Sequence, residues 1–444
     1  MRVSRRRKSA RRGEDFAKQN RRVPEVARKI MENLLSVPYL IKVMKGSLVI
    51  VVLILIIASV AIILINDGDS DEVNSDLIEN RSSDLVGQQD LDSDPAEDKC
   101  EKGKVFGYPP VNLDKTLVVV PLGLMSGGHV TPIDHQYFQN FGNKEANIEV
   151  YSPGKGVIEG IQFMSGIHSD KGKIIEWEDY RLTIKHECKI SSIYIHIDKL
   201  SQKIMDEAPK TPGQVSVSIP VEAGEVIGWY NNNVDFNLVD EGIVLSGLIV
   251  PGHYEREPWK IHVPNTLEYF EEEIVGKIIE KSLRNEEPFA GKFDWDVDGK
   301  LQGNWFEVET NFYAGLGGSD YSSTHLSISP DYLDHNHIIV SMGDYDGRAA
   351  QFGVKSNSPN PAEVSVESGL IKYELVDYNY RTASGEVWER EKFAKIKEAF
   401  NEESVEGVVL IQMIEDRELK FEVFPGKTAG EVNGFSEDAK KYER

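Results

Sequence analysis

Short apolar runs alternate with glycine and proline from about residue 105 to 262: "TLVVVPLG", "IEVYSPGKGVIEGIQF", "YRLTIKHE", "SSIYIHI", "VSVSIPVEAGEVIGWY" and "GIVLSGLIV". Runs of this length between turn residues predict strands and little helix. The period changes in "NTLEYFEEEIVGKIIEKSLRN". There Leu267, Phe270, Ile274, Ile278 and Leu283 fall on one stripe, Asn265 is the N-cap and Glu268 follows three residues later, which predicts a linker helix over 265–285. Strand patterning returns over 286–444, beginning with "KFDWDVDGKLQGNWFEVE", read as a hairpin turning at Asp298-Gly299. Within that block "EVWEREKFAKIKEAFNEE" predicts a surface helix burying Trp388, Phe393, Ile396 and Phe400. The expected fold class is mainly β, with two β-rich domains and a few helices.

One run differs from all the others. "SLVIVVLILIIASVAIILI", residues 47–65, holds no charge, and at ~1.5 Å per residue a helix of that length reaches ~28 Å, enough to cross a bilayer. The chain is therefore expected to have a basic tail over 1–45, a transmembrane helix over 46–66 and an acidic, structureless stalk over 67–104. The tail carries 14 Arg and Lys against 4 Asp and Glu, so the positive-inside rule keeps the amino terminus cytoplasmic and the bulk of the chain extracytoplasmic. The span reads as an uncleaved signal anchor in the cell membrane, with the lipid bilayer as its partner. The stalk holds one sequon, Asn80-Arg81-Ser82.

The net charge of −23 includes that tail; its excess of 10 positive charges leaves about −33 for the rest. So acidic an ectodomain is not expected to bind nucleic acid. Two cysteines, Cys100 and Cys188, both fall on the oxidising side. Their pairing would close a loop of nearly ninety residues, with a stabilisation of about 4 kcal/mol in the chain-entropy model. Two separate buried thiols are the alternative.

Three phrases stand in order: "YSPGKGVIEGI" at 151–161, "YIHID" at 194–198 and "VEAGEVIGWY" at 221–230. Together they resemble the β core of the lysostaphin-type zinc peptidases, whose fold is the duplicated hybrid motif. The resemblance covers about 160 residues, 105–262. It implies zinc held by a His-x-x-x-Asp pair and the second histidine of a His-x-His, with the first as base, a further Tyr-x-His histidine, and water attacking a peptide carbonyl in the cell wall. The His-x-His spacing suits a strand, where residues i and i+2 face the same way.

Carried over residue by residue, His196 matches the Tyr-x-His histidine. His129 precedes Asp134 by five positions rather than four, and His135 follows directly. In "NVDFNL", Asn233 stands at the base and Asp235 at the zinc ligand. Asparagine cannot take and return a proton at neutral pH, and one nitrogen with two carboxylates is a poor set for zinc. The expectation is thus a catalytically degenerate domain, binding or scaffolding an envelope peptide, glycan or protein ligand; the alternative is a divergent zinc-dependent peptidase. For "GGHVTPIDHQYF" two readings stand. His129, Asp134 and His135 hold a metal near His196, or His129 ends a turn, Asp134 ties a loop and His135 opens a strand.

Asp294, Asp296 and Asp298 in "DWDVDG" are spaced like a calcium loop, but Trp305 stands where glutamate would close it, so a metal-free turn competes with a calcium-stabilised one. "DHNH" at 334–337 reads as a polar turn. Lys155 in "SPGKG" resembles a lipoyl attachment turn, which the extracytoplasmic position disfavours. Trp295, Trp305, Trp388 and Tyr313 are core residues or a carbohydrate-stacking surface.

Overall fold

A computed structural model describes residues 106–141, 147–170, 173–318, 321–390 and 392–444. The expected cytoplasmic tail, span and stalk, together with Cys100, lie outside the described residues. Among the described residues no helix is long and apolar enough to cross a membrane.

The first set of runs forms β1 (Val118–Val120), β2 (Gln136–Gln139), β3 (Ile148–Tyr151), β4 (Gly156–Asp170), β5 (Lys173–Lys185), β6 (Ile190–Ile197), β7 (Lys199–Leu200), β8 (Gly213–Val221), β9 (Val226–Tyr230) and β10 (Asn233–Asp240), with a single-turn α1 (Gln202–Met205) after β7. Seven strands make one sheet in the order β1-β2-β10-β6-β5-β4-β8, and β3-β9-β7 make a smaller second sheet. Strand alternation decides what lies between them. Val234, Phe236 and Leu238 of β10 are fully buried with Phe138, Tyr194, Ile227 and Tyr230 in one core. Asn233, Asp235 and Asn237 alternate with them and so occupy the opposite face.

The glycines of "VEAGEVIGWY" have separate jobs. Gly224 turns the chain at φ 79°. Gly228 lets two sheets approach: a Cβ there would lie 2.6 Å from both Cγ2 of Ile197 and the carbonyl oxygen of Lys199.

The linker helix is shorter than its pattern predicts. Asn265 does cap, accepting from the Leu267 amide at 3.2 Å, but only a 3-10 turn over Thr266–Tyr269 follows, and α2 runs Glu272–Lys281. Between them Phe270 is extended and bridges to Phe106. Its ring packs 5.2 Å from that of Phe106 and 6.1 Å from that of Phe236, and this burial overrides the helical period.

Residues beyond the linker close into an antiparallel eight-stranded barrel: β11 (Gly303–Glu307), β12 (His325–Pro330), β13 (Ile338–Tyr345), β14 (Arg348–Val354), β15 (Leu370–Thr382), β16 (Ile396–Glu415), β17 (Glu418–Pro425) and β18 (Lys440–Glu443), with β18 paired back to β11. Trp305, Leu326, Ile328, Val340 and Tyr373 belong to its buried core, as small barrels require. The surface helix expected over "EVWEREKFAKIKEAFNEE" is a correction. From Ile396 the segment is β16, paired with β15 from Thr382↔Ile396 through Asn379↔Phe400. Phe393 is exposed while Trp388 and Ile396 are buried, so the apparent stripe is not one face. The expected hairpin keeps its turn, with the Lys300 amide on the Val297 carbonyl at 3.0 Å, but no strand precedes it.

The two β blocks share cores. Val118, Val120 and Tyr137 pack with Leu283, Tyr332, Tyr380 and Trp388, and Ile193, Val239 and Leu248 with Phe293, Phe306 and Tyr313. The described residues belong to one compact unit.

Candidate functional site

The sheet order sets β2, β10, β6 and β5 side by side, and each strand delivers polar groups to one cavity of about 220 Å³. Asp134 and His135 enter just before β2. Asp235 on β10 is paired with Tyr137 of β2 and Ile195 of β6. His196, next to last in β6, is in a left-handed conformation, φ 68°, and β5 contributes Arg181, with Asp179 held against His196. Lys260 arrives from a 3-10 turn over Pro258–His262, while Tyr313, Tyr321 and His325 supply a wall from the barrel side.

Acidic and basic groups alternate along this face. Nδ1 of His196 lies 2.5 Å from Oδ2 of Asp179, and its Nε2 lies 3.6 Å from Oδ2 of Asp235. That same Asp235 oxygen is 3.4 Å from Nε2 of His135, whose Nδ1 is 3.2 Å from Oδ1 of Asp134. Nζ of Lys260 stands 3.1 Å from that Asp134 oxygen and 3.7 Å from Glu257. Asn237 donates to Oδ2 of Asp134 at 3.0 Å, and Asn233 to Oδ1 of Asp235 at 3.3 Å.

Burial opposes ionisation of Asp134, but the Lys260 charge and the His135 hydrogen bond outweigh it and hold this carboxyl well below the ordinary range. Burial likewise opposes the Lys260 charge, and Asp134 with Glu257 overrides it, raising the ammonium above its usual value. Burial lifts the carboxyl of Asp235, against the pull of His135 and His196. At His196 burial is outweighed by the Asp179 hydrogen bond and by Asp235, so its imidazole is raised.

Of the residues expected in the site, Asp134, His135, Asp235 and His196 come together. His129 sits at the margin, its ring centre 6.3 Å from that of His135. It closes a tight turn in which Ser126 and His129 exchange backbone hydrogen bonds at 3.2 and 3.1 Å, and Gly127 is tied to Gln351 of β14 in both directions. Zinc, the metal implied by the sequence resemblance, does not fit this donor set. Both oxygens of Asp134 already face hydrogen donors, one of them an ammonium at 3.1 Å, and a dication beside that fixed charge is repelled. Among the described residues no group of three or more His, Cys, Asp or Glu side chains is placed to hold a metal ion.

The three carboxylates of the calcium-like turn diverge. Asp294 pairs with Lys292 at 2.6 Å, and Asp298 takes a two-pronged contact from Arg417. Asp296 is buried, accepting from the amides of Asn304 and Ile249 with Arg444 at 3.8 Å. In "DHNH", His335 meets Arg284 and His337 meets Asn401. Trp305, Trp388 and Tyr313 are buried core side chains, and the indole of Trp295 donates to the Lys292 carbonyl.

Lys260, Asp179, Arg181, Asn237 and His325 were not legible as site residues. Asn237 alone carried a signal, standing two positions beyond Asp235 on the same strand face. Lys260 sits in an irregular segment whose sequence gives no direction to the side chain.

The chain matches no known protein-family model and no curated protein. Among solved structures, the NMR solution structure of lysostaphin aligns over 60% of this chain and 88% of that one, at 10% identity and a TM-score of 0.19. The binding domain of Paraclostridial Mosquitocidal Protein 1 aligns over 74% of this chain and 92% of that one, at 9% identity and a TM-score of 0.14. Scores this low carry no argument about fold or function; the chain stands as a mainly β protein.

Proposed function

We propose that residues 105–262 are a lysostaphin-type domain without a working metal centre, in a membrane-anchored extracytoplasmic protein that binds or scaffolds an envelope peptide, glycan or protein ligand. The observation that carries this reading is the buried pair of Lys260 with Asp134. The ammonium supplies one fixed positive charge where the peptidases of that type would hold a dication, and a lysine has no open coordination position on which to activate water. Asn233 leaves the base position without a proton acceptor. The test is hydrolysis of peptidoglycan cross-bridges and oligoglycine by the full-length protein, with zinc supplied. Cleavage near background is expected, together with no zinc retained on dialysis; zinc-dependent, chelator-sensitive hydrolysis overturns the reading.

A second reading, a divergent zinc-dependent peptidase, draws on one observation. Nε2 of both His135 and His196 lies within 3.6 Å of Oδ2 of Asp235, so two imidazoles face one carboxylate. Calcium in the barrel block has no comparable support, since its three carboxylates have separate partners.

A further inference from the structure

Three polar groups lining the cavity have hydrogen-bonding capacity left over. The guanidinium of Arg181 lies 4.6 Å over the Trp259 ring and is attracted by the Glu257 and Asp134 carboxylates, but it makes no hydrogen bond among the described residues. His325 is 1% exposed. Its ring faces the backbone carbonyls of Tyr313 and Phe312, while Nε2 has no hydrogen-bond partner. With the imidazole neutral and its hydrogen on the nitrogen toward those carbonyls, Nε2 is available as an acceptor. Asn237 gives its amide hydrogens to Asp134 and leaves its buried Oδ1 unpartnered. Buried polar atoms of this kind normally find partners.

The unmet needs are of two kinds. Arg181 offers a planar fork of donors whose complement is a carboxylate. His325 and Asn237 offer acceptors whose complement is an O–H or N–H group. The cavity's volume of about 220 Å³ suits a ligand on the order of ten heavy atoms, since ~150 Å³ already holds benzene. We infer that this cavity binds a small carboxylate carrying its own hydrogen-bond donor, an α-hydroxy or α-amino acid, with the carboxylate on Arg181 and the donor toward His325 and Asn237. The inference deepens the binding reading above and rests on its metal-free site.

The test is titration calorimetry of the full-length protein with lactate, alanine, acetate and ethylamine, each with chelator and again with zinc. Saturable binding of lactate or alanine is expected in both conditions, with acetate and ethylamine weaker on the order of tenfold or more. Lactate against alanine tells whether the donor is hydroxyl or ammonium. Arg181→Gln should weaken binding on the order of tenfold; if it fails to fold, Arg181→Lys, which keeps the charge and loses the fork, answers instead. His325→Phe should bring the donor-bearing ligands toward acetate while leaving acetate unchanged. Absence of saturable binding from both conditions, or equal binding of acetate, overturns this inference and leaves the metal-free reading standing. Binding seen only with zinc overturns both.

Discussion

Lys260 is 3% exposed and fully paired, which makes it the most consequential single side chain in the cavity. Replacing it with methionine leaves Asp134 ionised without its ammonium, and breaking a buried pair from one side costs about 3–5 kcal/mol. Lys260→Met should therefore lower the urea midpoint sharply, and adding Asp134→Asn should restore much of the loss; a single variant that unfolds with the native midpoint would refute the assigned pairing. His325 gives a pH dependence with a definite sign. Burial pushes its imidazole down to about 3, against ~6.5 in the unfolded chain, so the unfolded chain binds more protons on acidification. Its contribution to stability is complete above the unfolded value and declines as pH falls from ~6.5 toward the folded one. Asp134, whose folded value is depressed below the ordinary carboxylate range, adds a loss of the same sign only as pH falls toward and below the unfolded carboxylate value of ~3.9, at the acid edge of that interval. The melting temperature should drop between pH 6 and pH 4, and His325→Phe should make that limb shallower. An unchanged slope would assign the acid limb to the other buried histidines.

Elements were legible where local pattern and tertiary burial agree. β4, β6 and β9 follow the apolar runs, and the glycines of "VEAGEVIGWY" stand where backbone approaches backbone; the run "GIVLSGLIV" forms turns instead of the expected strand. Gly228→Ala should destabilise by about 1–3 kcal/mol, the usual cost of overpacking, because its new carbon would meet the Lys199 carbonyl at 2.6 Å; thermal denaturation measures it, and a neutral result would mean that β7 moves freely. Illegible elements are those in which a distant partner decides. Phe270 leaves its helix for Phe106, and Ile396 to Phe400 leave a helical composition for β15. The site divides in the same way. Asp235 and His196 could be found because they stand at motif positions of the resemblance, whereas Lys260 reaches the cavity, and Asp179 reaches His196, through register and loop path, which no local pattern encodes. Closure of the barrel depends on β18 finding β11, more than a hundred residues away in the chain.

For the whole molecule, the membrane orientation proposed here rests on the uncharged run at 47–65 and the 14-to-4 charge asymmetry before it. Protease added to intact cells or spheroplasts should remove everything beyond residue 67 while sparing a tag at the amino terminus; a protected carboxy-terminal part would reverse the topology. The sequence separates 105–262 from 286–444, yet the two blocks share buried clusters and the cavity takes walls from both. That shared packing limits portability. Residues 105–262 grafted into another protein would carry Val118, Val120 and Tyr137 on one side and Ile193, Val239 and Leu248 on another as bare apolar patches, the kind of surface that invites aggregation. They would also lose the side chains of Tyr313, Tyr321 and His325. The pocket is thus not a cassette that recombination can shuffle intact, and its history is bound to that of the barrel beside it.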